Sequence, residues 1–202
     1  ADYIIFEINS PGGEVTAARD IAVLISDLEI PNAAYIISQA ASAGSYIALN
    51  ADEIYFKPAG RMGASGVVTG DGNAADLKAQ SDWRAAMRAA AEANGRDPLY
   101  AEAMANPDID LSEYGAPVGE YLTLSAQEAV EVGYAEGIAE SHRDLFDQLG
   151  ITNPEVVEVD MTISENIARF ITNPIVIPIL LSIASIGLIV ELYSPGFGIP
   201  GI

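Results

Sequence analysis

Read by its apolar and polar positions, the chain alternates strand-like runs with helical ones. Tyr3–Ile8 is mostly apolar, the pattern of a strand buried in a parallel sheet, and it ends in the tight-turn signal Pro11-Gly12-Gly13. Glu14–Leu28 then repeats apolar residues at helical spacing, with Val15, Ala18, Ala22 and Ile25 on one face. A second strand is expected at Ala33–Ile37, followed by the small-residue junction Ser38–Gly44 and a buried helix from Tyr46 to Leu49. Glu53–Phe56 reads as a third strand, leading to Met62–Val68, another stretch of small residues. Such strand–helix–strand–helix order specifies an α/β layer with right-handed crossovers. Farther on, a helix runs to Asn94, Glu155–Asp160 alternates like an edge strand, and Ser164–Phe170 reads as a short helix.

The last part changes character. Phe170–Val190 is 21 consecutive uncharged residues. As a helix it would reach about 31 Å, enough for a bilayer core of about 30 Å. Pro174 and Pro178 near its start are tolerable in a membrane helix and can kink it. The expected division is therefore a globular domain over 1–160, a connector helix over 161–169, a transmembrane helix over 170–192 and the start of a loop over 193–202. A buried core helix is the competing reading of the apolar stretch.

Charge and composition narrow the chemistry. The 202 residues carry a formal net charge of −20, which repels phosphates and argues against a nucleic-acid partner. There is no cysteine and a single histidine, His142, so thiolate and multi-histidine metal sites are excluded and no cofactor is expected. With residue 2 already entering a strand pattern, the sequence is expected to be a piece lacking its own N-terminus.

Gly12-Gly13 and Ser42-Ala43 both stand at C-terminal ends of expected parallel strands, the edge where ligands bind in such sheets. Backbone amides at Gly13 and Ala43 could converge on one carbonyl oxygen, and a serine at a helix start suits a nucleophile. Ordinary helix capping by Ser42 or Ser38 accounts for the same residues. Gly70-Asp71-Gly72 is a turn, not a phosphate loop, because no Gly-Lys-Ser/Thr follows it. Asp108 and Asp110 read as a solvated loop.

The motifs Ile8-Asn9-Ser10-Pro11-Gly12-Gly13 and Ala41-Ser42-Ala43-Gly44 resemble those of the ClpP/crotonase-fold serine peptidases. Leu124–Ala129 and Gly133–Ile138 are similar to the segment that closes that domain, and Glu191–Gly201 after an apolar helix selects the NfeD membrane proteases, relatives of the signal peptide peptidase SppA. The resemblance implies a ClpP/crotonase-like layered sheet-and-helix domain followed by a C-terminal transmembrane helix. It implies Ser42 as nucleophile, Gly13 and Ala43 as oxyanion donors, and Gly12 and Gly44 as substrate-binding positions. SppA and NfeD proteases use a lysine base, and matching Ala91–Arg96 to the family segment puts Lys78 on it. Such a base must be neutral, which burial promotes; Trp83, Met87 and Leu77 are the candidate walls. Pairing of an exposed Lys78 with Asp82 is the plain alternative. His142 reads as a solvated residue at a helix end.

The expected substrates are hydrophobic segments of peptides or proteins, stomatin-like membrane proteins among them, with the protease domain outside the cytoplasm and the chain forming a homo-oligomer. Two rivals share the fold: an acyl-CoA-processing enzyme of the crotonase type, and a non-catalytic membrane scaffold that binds stomatin-like proteins.

Overall fold

The computed structural model describes residues 1–159, 162–173 and 175–193. They divide into two compact units, Ala1–Pro154 and the residues from Glu155 onward.

In the first unit a six-stranded sheet is organised around β2 (Asn32–Ala41). β1 (Ile4–Ser10) runs parallel along it from Ile4↔Asn32 to Ser10↔Ala40, with a register shift between Ile8 and Ser10. β3 (Glu53–Phe56) pairs with residues Ala33–Ile36 of β2, and β4 (Arg61–Gly63) pairs with Gln39–Ala41, both in parallel. Antiparallel β5 (Thr123–Ser125) lies beyond β4, and parallel β6 (Gly137–Ile138) beyond β3. β2 thus continues past the apolar run Ala33–Ile37 through Ser38-Gln39-Ala40-Ala41. Ladder partners on both sides override the weak strand preference of those small and polar residues.

Side chains alternate across β2 with the period of two that a strand imposes. Ala34, Ile36 and Ala40 enter the larger core with Trp83, Met87, Met104, Leu122 and Leu124, whereas Ala33 and Tyr35 join a smaller one with Tyr55, Ala139 and Leu145. Helices α1 (Val15–Ser26), α2 (Ala43–Leu49), α3 (Leu77–Ala93), α4 (Pro98–Ala105) and α5 (Ala126–Glu131) supply residues to the larger core. α6 (His142–Gln148) supplies Leu145 to the smaller. On α1 the buried residues are Ala18, Ala22 and Ile25, three of the four expected.

Arg96, only 4% exposed, closes the C-terminal end of α2. Its guanidinium donates to the carbonyls of Ala51 and Asp52 at 3.2 Å, and Nε donates to Tyr134 O at 3.2 Å. Asn94 Nδ2 donates to Leu49 O at 2.9 Å, so the end of α3 is tied to the end of α2. A cation there complements the negative pole of the helix that begins beside Ser42.

In the second unit, 155–159 form no strand, and every residue of that stretch is exposed. An alternating pattern does not make a strand without a neighbouring ladder, and the expected edge strand is corrected to that extent; Asp160 lies outside the described residues. α7 (Ile163–Ile171) opens with a capping box between Thr162 and Glu165. α8 (Val176–Tyr193) follows after a break, and α7 and Val176–Val190 are bent by 72°. The expected single helix from 170 to 192 is therefore interrupted before Val176. Asn173 precedes a proline, which pushes it away from helical angles, and its side chain caps the new start by accepting from Ile175 N at 2.8 Å. Among the described residues no single helix is long and apolar enough to cross a membrane; α7 and Val176–Val190 reach that length and apolarity only when taken together across their bend.

Candidate active site

Ser42 follows the last residue of β2 and precedes α2 with φ 54° and ψ −125°, a backbone conformation rare for a residue with a side chain. Its side chain makes no capping bond to α2, and Ser38 lies inside β2, so neither serine caps the helix. Instead the peptide around Ser42 is fixed by others. Ser42 N donates to Gly63 O at 2.9 Å. Ser42 O accepts from Ser45 N at 3.0 Å, Ser45 Oγ at 2.6 Å and Ser65 Oγ at 3.0 Å. Strain of this kind persists only where surrounding bonds over-determine it, and here they do.

Gly12 sits directly against the serine. A Cβ on Gly12 would lie 2.6 Å from Ser42 Cβ and 3.1 Å from its Oγ, and the glycine holds φ +117°. Gly12 N donates to Ser10 Oγ at 3.1 Å, which sets the turn that brings the two strand ends together. Gly13, next along, has open space where its Cβ would be.

Two recesses flank this meeting point. A cavity of about 220 Å³ is lined by Gly13, Ser42 and Ala43 together with the apolar Val15, Val67, Val68 and Trp83. A second, of about 170 Å³, is lined by Gly12, Gly13, Ala43 and Gly44 with Ala17, Ile21 and Ile47. Gly13 and Ala43 belong to both, whereas Gly12 and Gly44 line only the second. Neither the Gly13 nor the Ala43 amide donates to a backbone carbonyl among the described residues. Ala43 and Gly44 form the first turn of α2, where helix N–H groups are free by construction.

The wall opposite Ser42 is supported by Ser65 and Trp83. Trp83 Nε1 donates to Ser65 O at 2.8 Å and Ser65 Oγ at 3.1 Å, and its ring packs on Tyr46 with centroids 4.7 Å apart. Ser65, 1% exposed, thus links the Ser42 carbonyl to the indole. Nothing in the local pattern of Met62–Val68 marks Ser65 for this part, because both of its partners come from distant segments.

Lys78 lies in the first turn of α3, exposed, and the lining of neither recess includes it. Its backbone N donates to Asp76 Oδ1 at 2.9 Å. Of its expected walls, Trp83 and Met87 are buried, but Leu77 is 77% exposed and is corrected to a surface residue. Asp82, one turn after Lys78, forms an ion pair with Arg19 of α1. His142 is on the other side of the sheet: its ring meets Tyr35 of the smaller core edge-on at 5.7 Å, and Nε2 bonds Glu7 of β1. It is exposed at the start of α6, as expected, and meets Glu7 and Tyr35 there. Among the described residues no group of three or more His, Cys, Asp or Glu could hold a metal ion.

Comparison with known proteins agrees with this architecture. Residues 1–159 match the family described as NfeD1b, N-terminal domain. Over 201 residues the chain is 54% identical to membrane protein NfeD1b of Bacillus subtilis, covering 100% of this chain and 46% of that one. Over 224 residues it is 26% identical to a membrane-bound protease of Pyrococcus horikoshii, covering 99% of this chain and 48% of that one. The chain therefore spans about half the length of the curated relatives it matches.

Among solved structures, it superposes with a TM-score of 0.71 and 25% identity on a 1510-N membrane-bound stomatin-specific protease, covering 86% of this chain and 84% of that one. That structure is a lysine-to-alanine mutant in complex with a substrate peptide. A serine-to-alanine mutant of a protease of the same name gives 0.65 at 25% identity, covering 80% and 84%. ClpP1 from Listeria monocytogenes, at 22% identity, TM-score 0.52 and coverage of 75% and 79%, shows the shared ClpP-like α/β fold. The chain belongs to the NfeD1b family, with its residues 1–159 matching that family's N-terminal domain.

Proposed function

We propose that the chain is the catalytic part of a membrane-anchored serine endopeptidase working through Ser42 and Lys78. The observation that carries the reading is Ser42 itself: a strained serine, relieved of capping, at a cavity it shares with the Gly13 and Ala43 amides. In this reading Ser42 Oγ attacks the scissile carbonyl carbon while Lys78 Nζ takes its proton. Gly13 and Ala43 N–H groups receive the oxyanion. Collapse breaks the C–N bond, with the lysine returning the proton to the leaving amine, and water then hydrolyses the acyl-serine in a second pass.

Lys78 has to be out of water to serve as a base. Its exposure therefore makes entry into the cavity, closed over by substrate, part of the proposal. Support comes from the two related structures, one with a serine and one with a lysine replaced, the second holding a substrate peptide. The apolar lining by Val15, Val67, Val68 and Trp83 favours hydrophobic peptide segments. By analogy with the relative named stomatin-specific, stomatin-like proteins are the proposed partners. An acyl-CoA enzyme is disfavoured, because among the described residues no arginine lines either recess and Lys78, the one lysine proposed to enter, must be neutral there and would not pair with CoA phosphates.

A membrane location fits α8, whose Ser182 and Ser185 hydroxyls bond back within the helix to Pro178 O and Leu181 O, both at 2.7 Å. Side-chain hydroxyls in hydrocarbon need such internal partners. We propose, in line with the family resemblance, that the protease domain lies outside the cytoplasm.

The test is turnover of apolar peptides by Ser42→Ala, Lys78→Ala, the double variant and Lys78→Arg. Each should be inactive, and the double variant no worse than either single one, because the two act as a unit. Arginine stays protonated and should not rescue. Full turnover by Lys78→Ala would remove lysine from the mechanism.

A further inference from the structure

The two recesses beside Ser42 are apolar or small-sided almost throughout, and among the described residues Glu14 is the one charged residue lining either of them. It lines both, next to Gly13 at the border they share. Its carboxylate is not spent on the fold. Glu14 stands at the N-cap position of α1 without a side-chain capping bond, and it joins no salt bridge among the described residues. The nearest cation along α1, Arg19, is committed to Asp82.

We infer that Glu14 is a specificity-determining residue that selects a cationic side chain in the substrate close to the scissile bond, flanked by apolar ones. The inference rests on the peptidase reading for the identity of the ligand, though not on turnover. An extended peptide with its carbonyl at Gly13 and Ala43 must lay neighbouring residues into the recesses on either side. Glu14, exposed at that border, can meet only some of those residues. A lysine or arginine there meets an opposite charge and buries its aliphatic stem on apolar wall. A glutamate there meets a like charge. The general acidity of the chain favours cationic peptides everywhere along the site, so the mark of Glu14 is dependence on position.

Trp83 is the one tryptophan of the chain and lines the larger cavity, so its fluorescence reports occupancy. The experiment measures dissociation constants of apolar hexapeptides for Ser42→Ala, which binds without cleaving. Lys, Gln or Glu is moved one position at a time through each peptide. Lysine should tighten binding over glutamine by up to about 5-fold at one or two adjacent positions, the range for a partly exposed pair. Adding Glu14→Lys should invert the order at those positions and leave the others alone, and Glu14→Gln should flatten it. A lysine preference equal at all positions, or unchanged by Glu14→Lys, overturns the inference. Position-dependent binding with no cleavage by the unaltered chain leaves the inference standing and defeats the catalytic reading instead.

Discussion

Replacing Gly12 by alanine is the most local way to disturb Ser42, the proposed nucleophile, without touching it. Two penalties are set by the geometry. At φ +117° an L side chain is strained, by about 1–3 kcal/mol. The new Cβ would also stand 2.6 Å from Ser42 Cβ and 3.3 Å from Ala41 O, neither of them the far end of a flexible side chain, so the backbone at one strand end must yield. Displacing a reacting atom by about 1 Å costs on the order of 100-fold in rate. Gly12→Ala should therefore cut peptide turnover about 100-fold while the domain still folds. Two controls separate the penalties. Gly72→Ala carries a similar φ strain, at +83°, with nothing within 4 Å of the new methyl, and should lose stability but not activity. Gly13→Ala has open space and an ordinary φ and should fold like the original chain. Stopped peptide-cleavage assays and thermal melts read both quantities. Gly12→Ala with unaltered turnover would refute the placement of Ser42 against this glycine.

Other outcomes follow from parts of the fold away from the cavity. Arg96→Met strips a donor from four carbonyls, those of Leu49, Ala51, Asp52 and Tyr134, in a buried place, which should cost about 2–5 kcal/mol. That corresponds to a fall of about 5–15 °C in melting temperature; a loss under 2 °C, to about half a kcal/mol, would contradict the clamp. The Tyr134 hydroxyl is held above the usual tyrosine range first by burial, and that of Tyr55 by burial and then its bond to Glu53. A raised folded value means the stabilisation is whole below the unfolded value of about 10 and is lost as pH climbs past it. Phenolate absorbance of these two should thus appear together with alkaline unfolding and not before; ionisation within the folded domain would refute it. If the bent pair of α7 and α8 enters a bilayer, the chain should sediment with membranes and resist carbonate extraction, whereas a chain ending at Pro154 should be released folded. An intact chain found wholly in the soluble fraction would contradict the span.

Much of the site was legible because it rests on local rules. Small residues at two strand ends announce close approach, and Gly12 against Ser42 is that approach realised. The order of strands and helices followed from periodicity, as the buried face of α1 shows. What the sequence hid depends on distant partners. β2 runs to Ala41 because β1 and β4 flank it, and no local preference of Ser38-Gln39 says so. Ser65 is one more small residue until Ser42 O and Trp83 converge on it. His142 is solvated as its position indicates, but its partner Glu7, 135 residues away in sequence, is not readable from the helix end. Residues 155–159 alternate correctly and find no ladder. The interruption before Val176 was signalled by a proline that a count of uncharged residues passes over.

The most direct test of the central claim is the reaction of the intact chain with a serine-directed fluorophosphonate, read by mass spectrometry of the protein and of its peptides. The account predicts one adduct, carried by Ser42, absent from Ser42→Ala and slowed by Gly12→Ala. A folded chain that takes no adduct, or an adduct of equal yield in Ser42→Ala, would contradict it.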